Sequence, residues 1–476
     1  MKTECSNADN RGSVLSLFFE PKTVAIVGSF REGFFGGYVA IKSLMEAGFT
    51  GTVYPVNRNY TEVLGWKSYP SLSDIDGSVD LVIVIINSKG VFDVVEEACR
   101  KGIRAAVVVS DGFAERDRSG AVLQNELVAL AKERGIRIVG PNTAGVVSSW
   151  EGFNPCPYDA GYYRLKQGSV AICSQSGMTN PQAFPYPASR LGISRICDLG
   201  NKCDVDECDL LDYLENDART TVVSIYLEGV ADGKRFLETA ERVARKKPLL
   251  VLKSGRTAEG ARASASHTGS MAVNDMTFDA ACRQAGILRV DEFADLFDIP
   301  KIFSMQPSIK GNRFGMVSYT GGMGVMAIDR GASYGIVPAS LSGKTSAFLD
   351  SFFPGLGTNP VDIGPMAVSI KNFREVFPQI EIAVATDPEV DCILNVLWCD
   401  IRGESSRAYL EGFSRIREVC DKPVVSWMYG PNVEICSRIA AQVEELGFPC
   451  FISSERAMKA IGMAWTYELF RRKLVA

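Results

Sequence analysis

Thr23-Val24-Ala25-Ile26-Val27-Gly28-Ser29-Phe30-Arg31-Glu32-Gly33 is the stretch whose reading decides the fold. Its first six residues form a short, continuous, β-favouring run, as in a strand buried on both faces. The run enters a glycine-bearing turn, and residues 38–47 behind it have helical periodicity that stops near Gly48. The pattern repeats along the chain. Residues 51–57, 80–86, 105–109 and 137–139 read as further strands, and 91–101 and 123–134 as helices between them. Strands alternating with helices predict a parallel sheet covered on both faces over residues 13–147. Ligands of such a sheet sit at the carboxyl ends of its strands.

Composition narrows the function classes. A chain of 476 residues with 46% hydrophobic and 22% charged residues has material for about three domains. A net charge of −5 argues against general nucleic-acid binding. Residues 1–12 form a polar tail without the apolar core of a secretory signal. No apolar run reaches the ~18 residues of a membrane span, so a cytoplasmic location without membrane contact is expected. The 13 cysteines include no C-x-x-C pair and only one histidine accompanies them, so no metal site is expected.

That histidine, His267, lies in Ser264-Ala265-Ser266-His267-Thr268-Gly269-Ser270, a stretch of small residues read as a loop. Neutral imidazole is abundant near pH 7 and its free nitrogen is a nucleophile. Basic residues Lys253, Arg256 and Arg262 precede it. The plainer alternative is a histidine that only hydrogen-bonds a neighbour. Against it stands the company predicted for it. Strand 248–254 delivers the chain towards His267, strand 222–229 ends at Glu228, and strand 169–173 runs into Ser174-Gln175-Ser176-Gly177. A carboxylate on one imidazole nitrogen fixes the tautomer and leaves the other free to attack. A Ser/Gly turn heading a helix offers amide donors to a phosphate, although of Pro181, Pro185 and Pro187 the later two should shorten or kink that helix. Phe184 and Tyr186 are candidates to line an adjoining pocket.

Residues 312–476 echo this unit. Strand 315–319 runs into Thr320-Gly321-Gly322-Met323-Gly324 and a helix through Arg330. Strands 392–398, 423–427 and 450–452 and a closing helix over 454–474 follow. The first turn, by contrast, is not the G-x-G-x-x-G of nicotinamide enzymes. The second strand ends in Pro55-Val56-Asn57-Arg58, without a carboxylate for a ribose hydroxyl. Arg31 and Arg58 would suit an extra phosphate instead.

The run 24–29, Tyr54-Pro55-Val56-Asn57, Gly112-Phe113 and Gly140-Pro141-Asn142 resembles the CoA-binding domain of succinyl-CoA synthetase alpha subunits. It is closer still to the ADP-forming acyl-CoA synthetases. The Gly-Asn-Lys-x-Asp, Tyr-Leu-Glu-Gly and Ser-His-Thr-Gly runs resemble the phosphohistidine region of the same family, in its order. The resemblance covers about residues 15 to 470. It implies an α/β fold with a Rossmann-like CoA-binding domain at 13–147, a linker at 148–167 and a flavodoxin-like, succinyl-CoA synthetase-like domain at 168–303. A linker at 304–311 and a second flavodoxin-like domain at 312–476 complete it. It implies that Gly28, Ser29, Arg31, Asn57, Arg58, Ser110 and Asp111 contact coenzyme A. It implies that His267 is phosphorylated with Glu228 supporting it, and that Ser176, Gly177, Asn142, Thr320, Gly321 and Gly322 hold phosphate between two helix N-termini. Asp111 and Thr143 depart from the residues common in the family.

The implied reaction interconverts acyl-CoA, ADP and phosphate with a small carboxylic acid, CoA and ATP. A separate ATP-grasp beta subunit in an α2β2 assembly would bring Mg2+ and ADP or ATP. The alternatives are a CoA-binding regulator without ligase activity and, more remotely, a nicotinamide-dependent oxidoreductase.

Overall fold

The computed structural model describes residues 14–159, 163–268, 274–400 and 405–475, with the side chains of 264–268 and 475 outside that description. The chain divides into two compact units, Met1–Leu296 and Phe297–Ala476. The first holds two large sheets beside a two-stranded ribbon of Glu62–Val63 and Trp66–Lys67. In one, β1 (Thr23–Gly28), β2 (Thr52–Val56), β3 (Leu81–Ile85), β4 (Ala105–Val108) and β5 (Arg137–Val139) run parallel in the order β2-β1-β3-β4-β5. Val24, Ala25 and Ile26 are wholly buried, as a central strand requires. Helix α1 (Gly37–Ala47) stops at Gly48, whose positive φ of 82° turns its N–H back onto the Leu44 and Met45 carbonyls. Helix α2 (Val91–Arg100) follows β3. Helix α3 (Arg118–Arg134) starts earlier than periodicity indicates, because Asp117 caps it by accepting the Gly120 N–H.

The second sheet contains β6 (Val146–Ser148), β7 (Gln167–Ser174), β8 (Ile193–Asp198), β9 (Val222–Leu227), β10 (Leu249–Lys253) and β11 (Leu288–Val290). Its order is β11-β10-β9-β7-β8-β6. All pairs are parallel except β6, which lies antiparallel on β8 with Ser148 opposite Arg195. Val146 and Val147, grouped with the first segment in the sequence, thus pair with the second sheet. A three-residue strand has too little periodicity to announce its partner. Helix α4 (Glu207–Asn216) opens with a capping box between Asp206 and Asp209, and α5 (Gly233–Lys246) packs between β9 and β10 in the chain order.

The stretch read as the His267 loop differs. Helix α6 spans Ala258–Thr268, so the His267 backbone is helical. Alanines at 258, 261, 263 and 265 favour helix and no proline opposes it. Residues 269–273 lie outside the described residues, and α7 (Asp275–Ala285) follows.

The second unit is built on a six-stranded sheet. Strands β12 (Arg313–Ser318), β13 (Val337–Pro338), β14 (Val361–Asp362), β15 (Cys392–Trp398), β16 (Val424–Tyr429) and β17 (Cys450–Phe451) form it, all in parallel pairs. The main path is β13-β12-β15-β16-β17, with β14 pairing β12. Helices α8 (Gly321–Ala332), α9 (Phe373–Thr386), α10 (Ser406–Val419), α11 (Val433–Glu445) and α12 (Ser454–Val475) cover it. Among the described residues no helix is long and apolar enough to cross a membrane.

Candidate active site

The first unit contains a cavity of about 660 Å³ where the carboxyl ends of its two large sheets meet. From the first sheet come Phe34 and Phe35 after β1, Asn87 after β3, Ser110 and Asp111 after β4, and Asn142, Thr143 and Ala144 after β5. From the second come Gly177 and Gln182 after β7 and Asp198 at the end of β8. Parallel topology puts all these loops on one side of their sheets, which is why residues distant in sequence share one wall.

Several contacts join the loops. Ser110 is buried, its hydroxyl accepts the Ile86 N–H at 3.2 Å, and its carbonyl accepts the Asn142 N–H at 2.9 Å. Asn142, at a φ of 59°, reaches Asn201 in the loop after β8 at 3.3 Å. Gly200 lets that approach happen: a Cβ there would stand 2.3 Å from the Pro141 carbonyl oxygen. Asn201 in turn donates to Glu115 at 2.5 Å, whose other oxygen accepts the Gly112 and Phe113 amides. Burial opposes ionisation of Glu115, but these hydrogen bonds outweigh it and hold its carboxyl below the usual range.

Asp198 is 2% exposed and forms part of the cavity wall. Its Oδ2 accepts the Ala144 N–H at 2.6 Å and its Oδ1 the Gly200 N–H at 3.1 Å. Burial, with a smaller push from Glu228, raises its pKa to about 6 against those donors. Thr143 donates its hydroxyl proton to the Asp198 carbonyl at 2.5 Å.

Glu228 stands immediately after β9 and is 8% exposed. Its amide and that of Gly229 both donate to Gln175 Oε1, at 2.9 and 3.2 Å. The Gly229 carbonyl accepts from Lys202 Nζ at 2.8 Å, and the same ammonium pairs with the buried Glu207 at 2.8 Å. The loops after β7, β8 and β9 are thus locked around the start of the Glu228 segment. The predicted pairing of Glu228 with the His267 ring lies outside the described residues.

The helix expected after Ser176 is a single 3-10 turn, Gly177–Thr179, followed by a four-residue helix at Tyr186–Ser189 with proline in its first turn. The prolines explain the shortening. Ser174 Oγ donates to the Ser176 carbonyl and accepts the Ser176 N–H, at 2.6 and 2.9 Å. Ser318 makes the same latch to Thr320, at 2.7 and 3.2 Å, and there a full helix follows from Gly321. The echo read in the sequence therefore extends to hydrogen bonding. A carboxylate also faces each glycine tip. A Cβ on Gly177 would lie 3.5 Å from Asp198 Oδ2, and one on Gly321 would lie 3.1 Å from Asp362 Oδ2. Gly322 is the second residue of the same helix.

Of the residues predicted to contact a cofactor, Ser110 and Asp111 line the cavity, as do Asn142 and Gly177 from the phosphate set. Gly28, Ser29, Arg31, Asn57 and Arg58 stand apart from it, around the turn after β1. Arg31 and Arg58 are exposed. Ser29 accepts the Gly37 N–H through its carbonyl at 3.1 Å. A Cβ on Gly28 would meet the Ile85 carbonyl at 3.0 Å. Asn57 donates to the Gly28 carbonyl at 2.8 Å and accepts the Asn59 N–H at 2.9 Å, so it clasps the two turns where a nicotinamide enzyme would carry a carboxylate.

Tyr186 does not reach the cavity. It is buried, stacks edge-on with Phe184 at 4.8 Å and donates to the Thr179 carbonyl at 2.5 Å. The aromatic wall is instead Phe34, Phe35 and Tyr158. Phe35 and Tyr158 pack at 4.8 Å and share a β-bridge. Tyr158 comes from the stretch read as linker, where no periodicity marks it. Asp198 had a usable signal, as the last residue of a strand directly before Leu-Gly-Asn-Lys.

Two family models match. A CoA binding domain covers residues 22–149, and a succinyl-CoA ligase like flavodoxin domain covers residues 167–303. The chain is 34% identical to the acetate–CoA ligase (ADP-forming) I subunit alpha of Pyrococcus furiosus, over 96% of this chain and 99% of that one. It is 38% identical to acetate–CoA ligase (ADP-forming) II of Archaeoglobus fulgidus over 80% of its length, and the match spans 57% of that longer protein. Among solved structures it resembles the dinucleotide-forming acetyl-coenzyme A synthetase 1 of Ca. Korarchaeum cryptofilum in complex with phosphate and ADP. The TM-score is 0.86 at 29% identity, covering 98% of this chain and 99% of that one.

Proposed function

We propose a function from a family premise: the chain belongs to the ADP-forming acetate–CoA ligases and is of their alpha-subunit type. We infer that it interconverts acyl-CoA plus phosphate with a carboxylic acid plus CoA, holding the phosphoryl group on His267 for transfer to ADP. The observation that best supports this reading is the shared cavity. One wall comes from the region matching a CoA-binding domain and the other from the region matching a succinyl-CoA ligase domain. A thioester presented from the first sheet would meet phosphate held at the second.

Each proposed role follows from local chemistry. Coenzyme A lies across the turn after β1, with Arg31 and Arg58 available to its phosphates and Ser110 and Asp111 beside its thioester end. Gly28, Ser29 and Asn57 shape that turn. Ser176, Gly177 and Asn142 receive phosphate, which attacks the thioester to give an acyl phosphate and CoA. His267 then takes the phosphoryl group and frees the acid. Glu228 orients the imidazole. Thr320, Gly321 and Gly322 head a helix whose first-turn amides are proposed as further phosphate donors. Catalysis is mainly positioning and charge stabilisation.

The remaining parts are assigned to another chain. A separate ATP-grasp beta subunit, in an α2β2 assembly, supplies the site for ADP or ATP. Among the described residues no set of three His, Cys, Asp or Glu side chains is placed to hold a metal. Magnesium is assigned to the partner together with the nucleotide, and no step here is routed through it. The protein is expected in the cytoplasm.

The test is direct. Incubating the chain with acyl-CoA and radioactive phosphate should place acid-labile, alkali-stable label on His267, and His267→Asn should abolish it. CoA binding without any label, across a panel of thioesters, would favour a regulator instead.

A further inference from the structure

We propose that Asp198 carries the proton from the attacking phosphate to the departing CoA sulfur in the thioester half of the reaction. The inference rests on the function proposed above and adds a residue to it. Three features of the site support it. Asp198 is almost wholly buried, yet it is one of the residues that line the cavity. Its Oδ2 lies 3.5 Å from the position a Cβ on Gly177 would take, beside the turn assigned to phosphate. The Ala144 and Gly200 amides hold the two oxygens in place. Each carboxylate oxygen keeps a lone-pair site beyond the one such a bond uses.

The step balances. An oxygen of hydrogen phosphate bonds to the thioester carbonyl carbon, the C–S bond breaks, and its electron pair leaves on sulfur. The P–OH proton passes to Asp198 and then to the CoA thiolate. Hydrogen phosphate and acyl-CoA become acyl phosphate and CoA, and the carboxylate is restored. Such a carrier works best when its pKa lies near the operating pH. Burial sets Asp198 at about 6, high enough to hold a proton briefly and low enough to be ionised beforehand. Among the described residues, the titratable groups facing it are Glu228 after β9, Tyr158 from the opposite wall and the Cys197 thiol on its own strand. None supplies a positive charge that would abolish its basicity.

The two half-reactions separate the idea from a structural role. The first is CoA release from the thioester that the wild-type chain cleaves fastest in a panel beginning with acetyl-CoA, with inorganic phosphate. The second is phosphorylation of His267 by the matching acyl phosphate, in which no thiol needs a proton. Asp198→Asn should slow the first by about a hundredfold or more and leave the second within about twofold. In the wild type, CoA release should rise with pH through about 6, since the ionised carboxylate accepts the proton. The Asn variant should lose that limb, and the second half-reaction, which needs a neutral imidazole, should keep one and the same pH profile in both proteins. Equal losses in both halves, or an unchanged profile in the variant, overturn the inference while the proposed function stands. A wild-type chain that performs neither half overturns both.

Discussion

Glu381 is an acid kept protonated by the fold. It sits on α9, 1% exposed, with Oε2 accepting from Asn395 Nδ2 at 3.0 Å and Oε1 unpaired among the described residues. Burial pushes its pKa from 4.5 up to about 8, against the opposing hydrogen bond from Asn395. The sign of the linkage follows. The unfolded chain releases this proton near pH 4.5 and the folded one near 8. The associated stability is complete below the lower value, falls by about 1.4 kcal/mol per pH unit between the two, and is gone above the upper. Glu381→Gln keeps the shape and cannot ionise. Its urea midpoint, compared with that of the wild type from pH 5 to 8, should stay flatter. Parallel profiles would mean that Glu381 already ionises in the fold. The periodicity of α9 shows an acid on a largely apolar helix. It does not show that Asn395 on β15 faces it, because only sheet packing brings the two together.

At the scale of elements, the same chemistry that starts a helix also holds the site. Asp206 caps α4 by accepting the Cys208 and Asp209 amides, each at 2.9 Å, and pairs with Arg235 of α5 at 2.7 Å. Asp206→Ala should cost about 1–2 kcal/mol for the lost cap, read as a lower urea midpoint with an unchanged slope. The loss should extend to the neighbouring segment, because Glu207, the first residue of α4, anchors Lys202 and through it the Gly229 carbonyl. Labelling of His267 should therefore slow as well. Strand identities were legible here from apolar runs, whereas the cap at Asp206 is a finding of the folded chain. The turn after Ser176 was legible only in part. Its prolines forbid a long helix, but whether one turn of helix survives depends on packing that Pro181, Pro185 and Pro187 do not specify. His267 shows the converse: small residues read as loop-like are also good helix formers, and the fold chose helix.

For the whole molecule, the match with a Pyrococcus alpha subunit over 99% of its length, against 57% of a longer ligase, frames one expectation. The purified chain should accept phosphate from acyl phosphate yet make no ATP until an ATP-grasp partner is added. Luciferase detection of ATP from the chain alone would refute the division of labour. The α/β class, the parallel order of short strands and the placing of Glu228 and Ser176 after strand ends follow from residue patterns in the sequence. Each reflects a local rule: periodicity, turn chemistry, or the spacing of apolar runs. The cavity obeys no local rule. Asp198, Tyr158 and Gln182 converge with Ser110 and Asn142 because two sheets turn their carboxyl ends towards one another. The antiparallel seating of Val146–Ser148 on β8 was equally non-local. Contacts across tens of residues depend on which surfaces exclude water together, and only the folded chain makes that choice.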